Sequence, residues 1–222
     1  MYDFLKRIID IIIALIALIV LSPLFLVIMI VLSVTGEREV FYQQNRIGLH
    51  NSNFGIYKFV TMVKNSLNIG TGAITLRNDP RVTSVGKYLR MTKLNELPQI
   101  LNVLNGTMSI VGPRPLVQST FDAYPEEVQK EIYKSKPGIT GVGSIIFRDE
   151  EKLISECNMN TAVFYQQVIA PYKGEVELWY NRNKSILTDI KLIFITAWVI
   201  LFPKSNIIYR WFPSLPKKQL SA

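Results

Sequence analysis

From Ile8 to Val34 the chain is apolar at nearly every position, interrupted only by Asp10, Ser22, Pro23 and Ser33. As a straight helix these 27 residues would reach about 40 Å, more than the ~30 Å of a bilayer's hydrocarbon core. No other stretch restricts the fold as tightly, because such a surface has to be covered by lipid or by the rest of the chain. No small-residue cleavage site separates it from a following domain, so it reads as a retained membrane segment and not a signal peptide. Pro23 removes a backbone donor and Ser22 supplies a hydroxyl to the freed backbone, the combination that kinks membrane helices sharply. On the residues alone a spanning helix is the simpler arrangement. Two arms of about 21 Å each that enter and return on one side are also permitted.

The remainder is long enough for one sizeable core, and nothing divides the 222 residues into independent domains. With 49% apolar and 19% charged residues, the chain is too apolar for disorder and too charged for a polytopic membrane protein. Lys and Arg number 25 against 17 Asp and Glu, a net charge of +8, which suits nucleic acid, an anionic lipid surface or phosphorylated substrates. Zinc spacings, single-strand aromatic motifs and recognition-helix patterns are absent from the sequence, which favours membrane and diphosphate over nucleic acid. Cys157 stands alone, so no internal disulfide forms and a cytosolic face is expected. With His50 in a polar turn as its only imidazole company, Cys157 reads as a small, partly buried side chain and not a nucleophile.

Chemistry concentrates between Thr92 and Leu116, TKLNELPQILNVLNGTMSIVGPRPL. Asn95 occupies an expected N-cap, Glu96 follows, and Pro98 falls in the first turn. Ile100, Val103 and Leu104 then form an apolar face up to Asn105 and Gly106. A helix start carries unsatisfied N–H groups and partial positive charge, which favours a carboxylate or a metal-bound phosphate nearby. In Gly112-Pro113-Arg114-Pro115 two prolines fix the backbone around one guanidinium, suited to bidentate phosphate recognition. A capped core helix followed by a Pro-rich turn explains the same residues, and the pattern alone does not choose.

Around this stretch, Val40–Gln44 and Phe54–Phe59 are β-prone runs joined by a turn-rich segment, a small hairpin carrying Arg46 and Lys58. Asn65–Ala73 reads as a loop and Asp79-Pro80-Arg81 as a turn. Thr83 then caps a helix with Val85, Tyr88 and Leu89 inward and Arg90 near its end. A polar amphipathic helix is expected over Tyr124–Lys136, with Val128 and Ile132 on its inner face. Pro137–Gly141 is expected as a tight turn, and Asp149, Glu150 and Glu151 as helix-start carboxylates. Leu192–Phe202 is apolar but for Thr196, too short for a straight span, with Asp189 just before it as a cap. Ile207–Phe212 mixes aromatic, aliphatic and basic residues as interfacial segments do, and Lys217-Lys218 adds attraction to anionic lipid.

The stretch ELPQILNVLNGTMSIVGPRPL resembles the signature of bacterial sugar transferases, the monotopic polyprenyl-phosphate phosphoglycosyl transferases. The likeness extends to the Lys-Arg-flanked apolar N-terminus with Ser22-Pro23, QQNRIG at 43–48, FGIYKFVTM at 54–62, NDPRVTSVGKYLR at 78–90 and KPGITG at 136–141. The resemblance implies an α+β, mostly helical fold: a re-entrant membrane helical hairpin over 1–36, a cytoplasmic catalytic region over 37–185, and an interfacial helix with basic tail over 186–222. Lys6 and Arg7 then mark the cytoplasmic interface of the bacterial inner membrane. It further implies transfer of a phospho-sugar from a nucleotide diphosphate sugar, by resemblance a UDP-sugar, to polyprenyl phosphate, giving polyprenyl diphosphate sugar and a nucleoside monophosphate. Glu96, Asn95 and Arg114 would form the catalytic set, with Lys58, Arg46, Arg81, Arg90 and Asp189 toward substrate. Mg²⁺, which prefers carboxylate and phosphate oxygens, would sit on Glu96.

Three positions depart from the family pattern. Asn95 stands where Asp is usual, Thr107 where Asp is usual, and Val60 where Arg is usual. The usual Asp carries the phospho-sugar covalently, and an amide oxygen lacks the basicity for that role. Direct attack by the lipid phosphate, a substitute nucleophile (Glu96, Asp149, Glu150 or Glu151), and an inactive nucleotide-sugar-binding scaffold therefore all remain open.

Overall fold

The computed structural model describes residues 1–66, 69, 79–157 and 160–218; the side chain of Glu151 and most of the loop expected at 65–73 lie outside them. The apolar N-terminus is helix α1, Tyr2–Val34. No loop divides it into a hairpin: helical structure continues through Ser22-Pro23, where Ser22 Oγ donates to the Ile19 carbonyl at 2.8 Å. The helix meets the rest of the chain along its whole length. Tyr2 and Lys6 donate to Asp189 (2.9 and 2.8 Å), Arg7 donates to the Val103 and Leu104 carbonyls, and Asp10 accepts from Ser109 Oγ (2.8 Å) and the Ile110 N–H (3.0 Å). Farther along, Phe25, Ile28 and Leu32 pack with Phe59 and Leu89. The opposite face, with Ile12, Ile16, Ile19, Val27 and Ile30, stays exposed.

Strands β1 (Phe41–Ile47) and β2 (Asn53–Phe59) form the expected hairpin, antiparallel with Phe41 opposite Phe59. Helix α2 (Ser84–Met91) begins at Thr83, whose hydroxyl accepts the Gly86 N–H at 3.0 Å as expected. Tyr88 differs from expectation: it is exposed, and the inner face is made by Val85 and Leu89. The central helix is later and shorter than its pattern suggests. A 3₁₀ turn covers Leu94–Glu96, and α3 (Gln99–Asn105) begins only after Pro98 and ends at Gly106, whose φ of 82° is the left-handed geometry that glycine adopts freely.

Strand β3 (Ser109–Val111) is followed by short helices α4 (Gln118–Phe121) and α5 (Glu126–Glu131). The helix expected over Tyr124–Lys136 is thus cut short and tightens into a 3₁₀ turn at Ile132–Lys134, though Val128 and Ile132 are buried as anticipated. Instead of a tight turn, Gly138–Thr140 is strand β4, parallel to β3 with Ser109 opposite Gly138 and Val111 opposite Thr140. Gly112 makes this pairing possible, since a Cβ there would fall onto the Lys136 carbonyl oxygen.

Helices α6 (Val142–Ile146), α7 (Glu150–Ser155), α8 (Thr161–Phe164) and α9 (Ala170–Asn183) follow, the last two joined by a π-helical turn at Tyr165–Ile169. Helix α10 (Ile186–Leu201) is capped by Ser185, and α11 (Ile207–Trp211) closes the described chain. The largest core joins β3, α6, α9, α10 and α11 through Val111, Val142, Val176, Tyr180, Leu192 and Ile208. The fold is mostly helical, with two small sheets and one long apolar N-terminal helix.

Candidate active site

Two buried side chains hold the site's pieces in register. Asn102 of α3 accepts the Tyr57 N–H (2.9 Å) and donates to the Gly55 carbonyl (2.8 Å), fastening α3 to the strand that carries Lys58. Tyr133 donates to the Arg114 carbonyl (2.8 Å) and accepts the Leu116 N–H (2.9 Å) from below the Gly-Pro-Arg-Pro loop. That loop is latched to β1 as well. The Ile47 N–H donates to the Leu116 carbonyl (2.8 Å), and Arg46 Nη1 donates to the Pro115 carbonyl (3.1 Å).

These fastenings bring Glu96, Arg114, Lys58 and Arg46 into one charged cluster. Arg114 Nη2 lies 3.0 Å from Glu96 Oε1, with the guanidinium side chain 37% exposed and the carboxylate 18% exposed. Burial opposes the ionised form of Glu96, but the charges of Arg114 and Lys58 outweigh it and hold the carboxyl down at about 2. Burial, together with the cations Arg46, Arg114 and Arg90 and against the pull of Glu96, brings the Lys58 ammonium down to about 7. Burial and the neighbouring Arg114 likewise lower Arg46 to about 10. Several cations crowding one carboxylate leave a surplus of positive charge on a partly open face, which two phosphates would neutralise.

Asn95 is not a helix cap. It lies inside the 3₁₀ turn, 7% exposed, and its Oδ1 accepts no hydrogen bond among the described residues. The other expected site residues divide. Arg90 ends α2 and contributes to the field at Lys58. Arg81 is 4% exposed, pairs with Asp79 (2.6 Å) and donates to the Ser66 and Ile69 carbonyls, so it braces a loop and is not brought to Glu96. Asp189 is not a cap either: it lies in the first turn of α10 and accepts from Tyr2, Lys6 and Tyr180 in a separate hub against α1. Of the acidic trio, Asp149 is largely exposed near Arg148, and Glu150 pairs at 2.5 Å with buried Lys173.

Sequence reasoning missed Glu177. It is 1% exposed in α9, and its Oε1 accepts the Arg114 N–H at 3.2 Å. Burial pushes its carboxyl up to about 7, against the Arg114 and Gly143 N–H donors and the Lys173 and Arg114 charges. The available signal was Lys173 four residues earlier, a Lys–Glu pair at the spacing of one helical turn.

Among the described residues no three His, Cys, Asp or Glu side chains gather as a metal cage. Glu96 has only one oxygen engaged by Arg114, and a single carboxylate completed by phosphate oxygens and water fits the habits of Mg²⁺.

Curated relatives align over most of the chain. It is 34% identical over 212 residues to an undecaprenyl-phosphate galactose phosphotransferase of Salmonella typhimurium, covering 89% of this chain and 40% of that protein. It is 34% identical over 215 residues to the exopolysaccharide production protein ExoY of Sinorhizobium fredii, covering 90% and 87%. Against a UDP-glucose:undecaprenyl-phosphate glucose-1-phosphate transferase of Klebsiella pneumoniae it is 36% identical over 205 residues, covering 90% and 41%. The chain thus spans about two fifths of the longer relatives and most of the shorter one. With the family model matched over residues 1–203, the chain belongs to the bacterial sugar transferases.

Proposed function

We propose that this chain transfers a sugar 1-phosphate from a UDP-sugar to polyprenyl phosphate, giving polyprenyl diphosphate sugar and UMP. The observation that carries the reading is the Arg114–Glu96 pair set among Lys58, Arg46 and Arg90. A phosphate oxygen of the lipid attacks the sugar-bearing phosphorus as the bond to the bridging oxygen breaks, and UMP leaves with that oxygen. Arg114 and Lys58 bind and orient the diphosphate, and their charge meets what develops on the leaving phosphate. Mg²⁺, held by Glu96 with phosphate oxygens and water, would supply further neutralisation of the diphosphate.

Transfer occurs in one displacement. Asn95 is a poor phosphoryl acceptor, Glu96 is held by Arg114 at very low basicity, and Glu150 is tied to Lys173. The Asn95 Oδ1 is buried and unpartnered among the described residues, which fits no role as an attacking group.

In this reading the lipid reaches the site because α1 is monotopic, with both ends at the cytoplasmic face of the inner membrane. Its first turns and its last turns pack on the same body, through Asp189 at one end and Phe59 at the other, which a crossing helix would not do. Exposed Leu187, Phe194, Trp198 and Leu201 of α10 add an apolar face for the bilayer surface.

Labelled UDP-sugar incubated with the full chain and undecaprenyl phosphate should release UMP only when lipid phosphate is present. Tight UDP-sugar binding without release would replace this reading with the scaffold.

A further inference from the structure

Behind the Arg114 loop lies a carboxylate that the transfer step does not use. Glu177 is 1% exposed, its Oε1 accepts the Arg114 N–H at 3.2 Å, and the same oxygen is seated against Gly143. Its Oε2 has no partner among the described residues. The fit at Oε1 is close enough that a Cβ on Gly143 would collide with it. Lys173, Arg114, Tyr124 and Tyr133 are the charged and titratable groups that face it.

Arg114 and Gly143 belong to different segments. Arg114 follows β3 in the Gly-Pro-Arg-Pro loop, and Gly143 follows β4 in the first turn of α6. Gly112 donates to the Thr140 carbonyl and Gly138 to the Pro113 carbonyl at 2.9 Å each. Farther along, Glu177 stands between the segments, bonded to the one and packed on the other. An apolar side chain of similar volume would fill the space and spare the cost of burying a charge, but would leave the Arg114 N–H unmet. What the position requires is an acceptor.

We propose that Glu177 is a positioning residue, whose carboxylate clamps the Arg114 loop to α9 beside the start of α6 and so fixes where the guanidinium meets Glu96 and the substrate phosphate. The proposal rests on the phosphoglycosyl transfer reading above. Displacements near 1 Å at a reacting centre cost about 100-fold in rate, and Arg114 is held within hydrogen-bonding reach of Glu96 by a loop whose backbone Glu177 anchors.

The test uses the full chain in lipid nanodiscs and compares wild type, Glu177→Gln and Glu177→Leu. Glutamine keeps an acceptor oxygen for the Arg114 amide; leucine keeps only the volume. UMP release should fall by about 100-fold in the leucine variant, chiefly in kcat, while its thermal midpoint stays at or above that of wild type. The glutamine variant should retain activity within about tenfold, as expected when an uncharged acceptor replaces a charged one. A leucine variant as active as wild type, or equal losses in both variants, overturns the clamp. So does activity that follows the thermal midpoint across the set. Backbone amide exchange gives a readout independent of turnover: Arg114 should stay protected with glutamine and lose protection with leucine. Unchanged protection in leucine sinks the clamp even if the wild type is active. A wild type without lipid-dependent release but with this protection pattern sinks the transferase reading and leaves the clamp standing.

Discussion

Glu96 and Glu177 stand on opposite sides of the same arginine and are held in opposite ways. Glu96 meets the Arg114 side chain at a partly open face, where cations draw its carboxyl down to about 2. Glu177 meets the Arg114 backbone from inside the core, where burial lifts its carboxyl to about 7. Two residues of one chemical type therefore separate by environment alone into a permanent anion at the surface and a group poised near neutrality inside. Each has one oxygen engaged, the surface one by the Arg114 side chain and the interior one by the Arg114 backbone N–H. Proximity to an arginine thus says little about a carboxylate until the partner atom is known.

The largest effect that would break this contrast is on turnover. Glu96→Gln should reduce lipid-dependent UMP release by at least about 10³-fold, the scale of losing a principal electrostatic group, and should weaken its Mg²⁺ dependence. Near-normal release would remove Glu96 from the site. Arg114→Lys keeps the charge and loses the fork, at about 2–4 kcal/mol in the transition state, read as a drop in kcat/KM with the fold retained by circular dichroism.

Stability against pH should separate the two carboxylates next. Glu177 binds its proton more tightly folded than unfolded, so its contribution is present below the ordinary value of 4.5 and is lost as pH rises through about 7. Glu177→Gln should therefore gain on the order of 3 kcal/mol over wild type at pH 8 and nothing near pH 4, measured as the difference in thermal midpoint. Glu96 has the opposite sign: its contribution is present above 4.5 and is lost as pH falls through about 2. Identical pH slopes for wild type and Glu177→Gln would mean that burial does not hold Glu177 as described. The smallest expected change is at Asn95. Wild type mixed with labelled UDP-sugar in the absence of lipid should carry no covalent label, and Asn95→Asp should alter lipid-dependent release by less than about tenfold. Label on Glu96, or strong turnover found only in Asn95→Asp, would overturn single displacement.

Much of this was legible in the sequence where the signal is local. The β1–β2 hairpin, the Thr83 cap, the Gly106 stop and the long apolar helix each follow from neighbouring residues. Arg114, Glu96 and Lys58 were marked by motif and do converge. The failures are tertiary. Asn95 has the composition of a cap, yet Lys93 takes a left-handed φ of 60° and the chain enters a 3₁₀ turn that buries the amide. Pro137-Gly138 has the composition of a turn, but a parallel partner 29 residues upstream, Ser109 opposite Gly138, makes it a strand. Asp189 looked available because sequence does not display the distant Tyr2 and Lys6 partners that occupy it, whereas the Asp79 partner of Arg81 was a near neighbour in the turn. Glu177 was marked only by the spacing to Lys173, since the partner of its carboxylate is a backbone amide from the distant Arg114 loop.

The grip of Asp10 on Ser109 and Ile110 has a consequence for the bilayer itself. Those residues open β3, and Arg114 follows only four positions after Ile110. If α1 lies at one face of the bilayer, as proposed above, it acts as a built-in depth gauge: the level at which it sits in the lipid would set the altitude of the guanidinium above it, and the fit between carrier headgroup and protein would follow the seating of α1 as much as Arg114 itself.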